Sequence, residues 1–247
     1  MSLVQETWLR KIIFGCLSLR IAIGSLLISH AQAQPSPLKV ACLGDSITVG
    51  YGLPASDAYP VKLQTSLGSS FNVQNYGVSG LTAMIQSRNP DGGSYWASSA
   101  YQSAKIFAPN VIILKLGSND AKTINDTQRG VNNVNFVSDV EAAIDELRSL
   151  PSLPTVFLCT PFYAKGNGFN ISATTLNNAI APLLRQIAAR KNCKLIDLHA
   201  LQSGNSSYYH SADDIHPNAA GMALVANEVS SVLKTQLTIF TSPHKEK

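Results

Sequence analysis

The stretch "CLGDSITVGYG", Cys42 to Gly52, decides how this chain is read. An apolar run with strand character, Leu38 to Leu43, stops abruptly at Gly44-Asp45-Ser46, and small residues and two further glycines follow. Such an ending has two readings. It is an ordinary strand-to-helix turn, because aspartate and serine both cap helices, or it presents Ser46 as a nucleophile. The turn alone does not choose between them, so the choice rests on partners elsewhere in the chain.

Outward from that turn, the apolar runs "LKVACLG", "FNVQNYG", "NVIILKLGS", "TVFLCTP" and "CKLIDL" alternate with segments of helical period. Those segments centre on Tyr59–Leu67, Ser98–Phe107, Phe136–Leu150 and Leu176–Arg190, with a last one from Asn218 to Leu233. Continuous Val/Ile/Leu runs predict strands buried on both faces, and their alternation with helices predicts βαβ units around a parallel sheet. The expected architecture is one three-layer α/β/α domain with five parallel strands. Pro182 interrupts its helical segment, which predicts either a kink or a helix start there.

The bulk numbers agree with one globular domain that has a sizeable core: 247 residues, 45% hydrophobic and 14% charged. The formal net charge is +4, and Arg10, Lys11 and Arg20 against Glu6 supply half of it, which leaves +2 for residues 34–247. That balance, without any later run of Lys or Arg, argues against nucleic acid as a partner. The first 33 residues have the form of a signal peptide: basic residues, the apolar stretch "IAIGSLLI", and "AQA" at Ala31–Ala33 as a cleavage site. Arg20 interrupts the apolar region, which disfavours a stable membrane span, although an uncleaved anchor is the alternative. An exported protein, secreted or periplasmic, with its domain at residues 34–247 is expected. Within that domain Cys42, Cys159 and Cys193 form neither a disulfide framework nor a zinc pattern, so no metal is expected. Asn125, Asn170 and Asn205 head glycosylation sequons, which matter only in a glycosylating host.

In open parallel sheets ligands bind beyond the carboxyl ends of the strands. The residues expected there are Gly44-Asp45-Ser46, the run "NYGVSGLT" at Asn75–Thr82, Gly117-Ser118-Asn119-Asp120, and "DDIHP" at Asp213–Pro217. Acyl transfer needs a nucleophile, a base, a group that orients the base, and donors for an oxyanion. Ser46 supplies the first and His216 the second. Asp213, three residues before His216, can reach imidazole Nδ1 and leave Nε2 for the serine. The backbone N–H groups of Ser46 and Gly80 and the side-chain amide of Asn119 are the candidate oxyanion donors. Pro217 suits the first position of the last helix.

These blocks resemble those of the SGNH hydrolase superfamily, the GDSL esterases and lipases: Ser46 in "GDSIT", Gly80 in "GVSGLT", Asn119 in "GSND", and His216 with Asp213 in "DDIHP". The resemblance runs from about residue 38 to 235, with Ile47 in place of the usual leucine. It implies a flavodoxin-like sheet in the order 2-1-3-4-5 and ester hydrolysis without cofactor or metal. "LGSND" and "NNAIAPLLRQIA" are similar to sialate O-acetylesterase-like and acetylxylan-esterase-like members, which implies removal of acetyl groups from small-molecule or polysaccharide carbohydrate esters. Alternatives are a general short-chain or aryl esterase, a lysophospholipase, O-acetyl transfer, or a non-catalytic carbohydrate-binding protein. The oligomeric state is not legible.

Several residues keep open readings. Asp45 and Asp120 are expected to brace turns through backbone hydrogen bonds, and Asp214 is the alternative to Asp213. His199 and His210 read as structural or surface residues, and Lys115 is expected to snorkel or pair with an acid, contact with substrate being the alternative. Asn75 is a candidate brace for the Gly77–Gly80 loop. The loops Gln86–Ala100, with Tyr95 and Trp96, and Pro161–Phe169, with Phe162 and Tyr163, either contact substrate or anchor themselves to the core.

Overall fold

The computed structural model describes residues 36–88, 92–201, 205–210 and 213–241. The expected signal peptide therefore lies outside the described residues. Five parallel strands, β1 Leu38–Gly44, β2 Phe71–Gly77, β3 Val111–Lys115, β4 Thr155–Cys159 and β5 Lys194–Ile196, form one sheet in the order β2-β1-β3-β4-β5. This is the order that the family resemblance implied.

The strands alternate as a doubly covered sheet requires. Ala41, Leu43, Ile112, Leu114, Val156 and Leu158 face one buried cluster, whereas Val40, Cys42, Val111, Ile113, Phe157 and Cys159 face another. The first cluster is closed by the helices α3 Ser99–Ile106, α4 Val134–Arg148 and α5 Ala181–Arg190, through Tyr101, Val140, Ile144 and Ile187. The second is closed by α2 Tyr59–Leu67 and α6 Ala219–Thr241, through Tyr59, Leu63, Val225 and Val229. A short helix, α1 Ser46–Val49, follows β1 directly. Burial pushes the Cys42 thiol up to about 12 and the Cys159 thiol up as well, so both behave as apolar core groups. Among the described residues no helix is long and apolar enough to cross a membrane.

Two expectations need refinement. Pro182 marks a helix start, in the first turn of α5, but that start is not isolated: a π-helical turn at Leu176–Ile180 leads straight into it. Proline has no N–H to donate, and the wider turn absorbs the missing bond. Pro217 is not the first residue of the last helix. Asn218 caps that helix, its Oδ1 accepting from the N–H groups of Ala220 and Gly221 at 3.0 Å, while Pro217 forms an isolated bridge to Tyr209.

Register positions the chemistry. Gly44 is opposite Gly77 on one side and Lys115 on the other, so β1, β2 and β3 end level. The loops that follow them therefore open at the same edge of the sheet.

Candidate active site

Asp45 starts α1 as its cap, with Oδ1 accepting from the Ile47 N–H at 3.0 Å, and this sets Ser46 at the helix N-terminus. Lys115, at the end of β3, donates to both carboxylate oxygens of Asp45 and to Ser118 Oγ. Of its open readings, pairing with an acid is the one observed. Asn75 bridges the start of the next loop, donating to the Thr48 carbonyl at 2.8 Å and accepting from the Gly77 N–H at 2.9 Å.

His216 reaches the sheet edge from the loop before α6. Its Nε2 is 2.8 Å from Ser46 Oγ, and its Nδ1 is 2.9 Å from Asp213 Oδ2. The other oxygen of Asp213 accepts the backbone N–H groups of Ile215 and His216 at 2.8 and 2.7 Å, which locks the carboxylate toward the ring. Asp214 has φ +57° and sends its side chain to Lys165 at 2.8 Å instead, so Asp213 is the partner of His216. Burial pushes the Asp213 carboxyl up, but hydrogen bonds from His216 and Ile215 outweigh it and hold the group below its ordinary value. Burial lowers His216 below its ordinary value, against the pull of Asp213, which favours the neutral imidazole, the form able to accept a proton.

Gly80 has φ +83°, a conformation that favours glycine. Asn119 is buried and donates from Nδ2 to the Leu81 carbonyl at 3.0 Å, so its amide is fixed against the Gly80 loop. Asp120 strengthens the same junction by accepting the N–H groups of Ala83 and Met84, both at 2.9 Å. Its backbone partners thus lie across the fold as well as in its own turn, and burial pushes its carboxyl up to about 6. Ser46, Ser79, Gly80, Asn119 and His216 meet around one cavity of about 320 Å³, whose remaining wall is Tyr51, Lys122, Phe169 and Ile171.

All five candidate residues, Ser46, Gly80, Asn119, Asp213 and His216, thus converge at this edge. The loop aromatics divide differently. Tyr95 and Phe162 are buried, and Trp96 donates its indole N–H to the Ala83 carbonyl at 2.6 Å, so these anchor their loops to the core. His199 has partners that sequence reading did not supply: Arg185 and Asn177, each at 3.2 Å. Asn125, though in a sequon, is buried and bonded to the Asn119 carbonyl and the Arg88 N–H. Sequence reading missed Tyr51 as a wall of the cavity; its place in "VGYG", directly behind the serine turn, was the available signal. Among the described residues no group of three or more His, Cys, Asp or Glu is placed to hold a metal ion.

The model of the GDSL-like lipase/acylhydrolase family matches residues 42–224. The chain is 32% identical over 231 residues to an acetylxylan esterase of Xylanibacter ruminicola, covering 86% of this chain but 46% of that protein. It therefore spans about half the length of that relative. Among solved structures, a carbohydrate acetylesterase family member from Sinorhizobium meliloti superposes with a TM-score of 0.67 at 24% identity, covering 81% of this chain and 99% of that one. The aryl esterase of M. smegmatis superposes with a TM-score of 0.64 at 17% identity, covering 80% and 99%. The chain belongs to the GDSL-like lipase/acylhydrolase family, whose members are carboxylic-ester hydrolases.

Proposed function

We propose that this protein hydrolyses short-chain esters, acetyl groups on carbohydrate hydroxyls, through an acyl-enzyme on Ser46. The observation that carries the reading is the continuous chain from Ser46 Oγ through His216 to Asp213, with contacts of 2.8 and 2.9 Å, opening into a cavity. The carbohydrate acetyl substrate is supported by the 32% identity to an acetylxylan esterase.

In this mechanism His216 Nε2 takes the proton of Ser46 Oγ as the oxygen attacks the ester carbonyl. Asp213 holds the ring with Nδ1 protonated and stabilises the imidazolium. The oxyanion is met by the backbone N–H groups of Ser46 and Gly80 and by Asn119. An amide nitrogen has two hydrogens, so Nδ2 can serve Leu81 and the oxyanion together. His216 then returns the proton to the leaving alcohol, and a water, deprotonated by the same nitrogen, releases the acid and restores Ser46. Export through the first 33 residues would bring such an enzyme to polysaccharide outside the cell.

The test compares wild type, Ser46→Ala and His216→Ala on acetylated xylan and on nitrophenyl esters of graded chain length. Acetyl esters should exceed octanoyl esters in kcat/KM, and either substitution should cost about 10⁴-fold or more in kcat. Near-normal turnover by a folded Ser46→Ala protein would overturn the acyl-enzyme, and a preference for long chains would favour a lipase.

A further inference from the structure

Tyr51 and Phe169 are exposed aromatic side chains, and both stand beside His216. The Tyr51 ring is 4.6 Å from the imidazole and the Phe169 ring 5.0 Å, while the two aromatic rings are 5.5 Å apart, edge to face. Apolar rings left in solvent at a reaction centre are unusual when most of the other aromatics in this fold are packed inside.

Their backbones are held in place. The Tyr51 N–H donates to the carbonyl of Ser46 at 3.0 Å, so this ring is tied to the nucleophile's own turn. Phe169 has φ +58°, a strained conformation for a bulky residue, of the kind that accumulates at functional sites. Its neighbour Gly168 lies so close to the Asp213 carbonyl that a Cβ there would approach the oxygen to 2.2 Å. Lys165 and Gly166 donate their N–H groups to the Asp214 carbonyl at 2.9 and 3.4 Å, fastening the Phe169 loop to the loop of the catalytic acid and base.

Chemistry says which half of a substrate these rings meet. His216 must hand its proton to the oxygen of the leaving alcohol, so the alcohol lies on the imidazole side, away from Gly80 and Asn119. Beyond the two rings a second hollow of about 440 Å³ opens, lined by Tyr51, Gly52, Gly168, Phe169, His210 and Asp213. Exposed aromatic faces at the mouth of that hollow suit a pyranose, which offers C–H faces to pack on them.

We infer that Tyr51 and Phe169, packed edge to face, form one contiguous aromatic surface of a leaving-group subsite against which a sugar ring of the acetylated carbohydrate rests. The inference rests on the acyl-hydrolase reading above and assigns the alcohol side of that same site. Substrate selectivity, rather than the chemistry at Ser46, is what the two rings determine.

The experiment measures kcat/KM on acetylated xylo-oligosaccharides and on methyl acetate, which has the same acyl group without a ring. Tyr51→Ala and Phe169→Ala should each lower the oligosaccharide-to-methyl-acetate ratio by about tenfold, mainly through KM, and Tyr51→Phe and Phe169→Trp should restore it. In a Ser46→Ala background, calorimetry should show about tenfold weaker binding of the same oligosaccharides when either ring is removed. Ratios and affinities that match the parent protein overturn the subsite while leaving the hydrolase reading in place. A wild-type enzyme that cleaves methyl acetate but not the oligosaccharides overturns the carbohydrate reading and the subsite with it.

Discussion

Lys115 Nζ donates to both carboxylate oxygens of Asp45, at 2.8 and 2.9 Å, and neither side chain is exposed to solvent. Its third hydrogen goes to Ser118 Oγ at 2.9 Å. One ammonium thus joins the turn that presents Ser46 to the turn that presents Asn119. Removing one member of a buried pair strands the other charge, so Lys115→Met should cost about 3–5 kcal/mol of stability. Urea unfolding checks this. A cost under about 1 kcal/mol would show that the Asp45 carboxylate is content with the Ile47 N–H alone.

Asn119→Ala separates two roles. If the amide meets the oxyanion, kcat should fall by about 10²–10³ with KM little changed, because that charge exists only in the transition state. The lost bond to Leu81 should add about 1 kcal/mol of destabilisation. Measuring kcat, KM and the unfolding midpoint on one sample decides it. Loss of stability with kcat retained would leave Asn119 as a brace for the Gly80 loop only.

The acid limb of the pH profile should belong to His216. The neutral imidazole is the base, and burial holds it below the ordinary 6.5, so kcat/KM should be level above that pH and fall as pH drops through the lowered value. Asp213→Asn removes a charge that pulls His216 upward, so the limb should move further down while the plateau drops by about 10⁴. A limb above pH 6.5 in wild type would contradict the assignment. Stability should follow the same sign. Both groups are depressed in the fold, so their contribution is present at neutral pH. It is lost on acidification, starting below 6.5 for His216 and continuing through the carboxylate range for Asp213.

Hydrolysis should survive chelation. Ser46, His216 and Asn119 are proposed to supply nucleophile, proton transfer and oxyanion contact, and the described residues offer no metal-binding cluster. Treatment with EDTA should leave kcat unchanged, and a loss that a divalent ion restores would overturn a purely side-chain mechanism.

The sequence by itself determined the layers of this protein, because strand and helix periods are local. Val40 and Cys42 alternate with Ala41 and Leu43 whatever else the chain does, and both sets are apolar, so both faces of β1 had to be covered. The Asp213–His216 contact was legible for the same reason, since both partners lie in one short loop. So was the placing of Ser46, Gly80 and Asn119 at strand ends. What only the tertiary structure decided spans long separations. Lys115 meets Asp45 across 70 positions, because β3 pairs with β1 and their ends are level. Tyr51 and Phe169 flank His216 because three loops from distant parts of the chain open at one sheet edge. Trp96 and Phe162, with equal aromatic credentials in sequence, turn inward. Side-chain type states what a residue can bury or bind, but which neighbours it meets is set by strand order and register, and those arise only when the whole core packs.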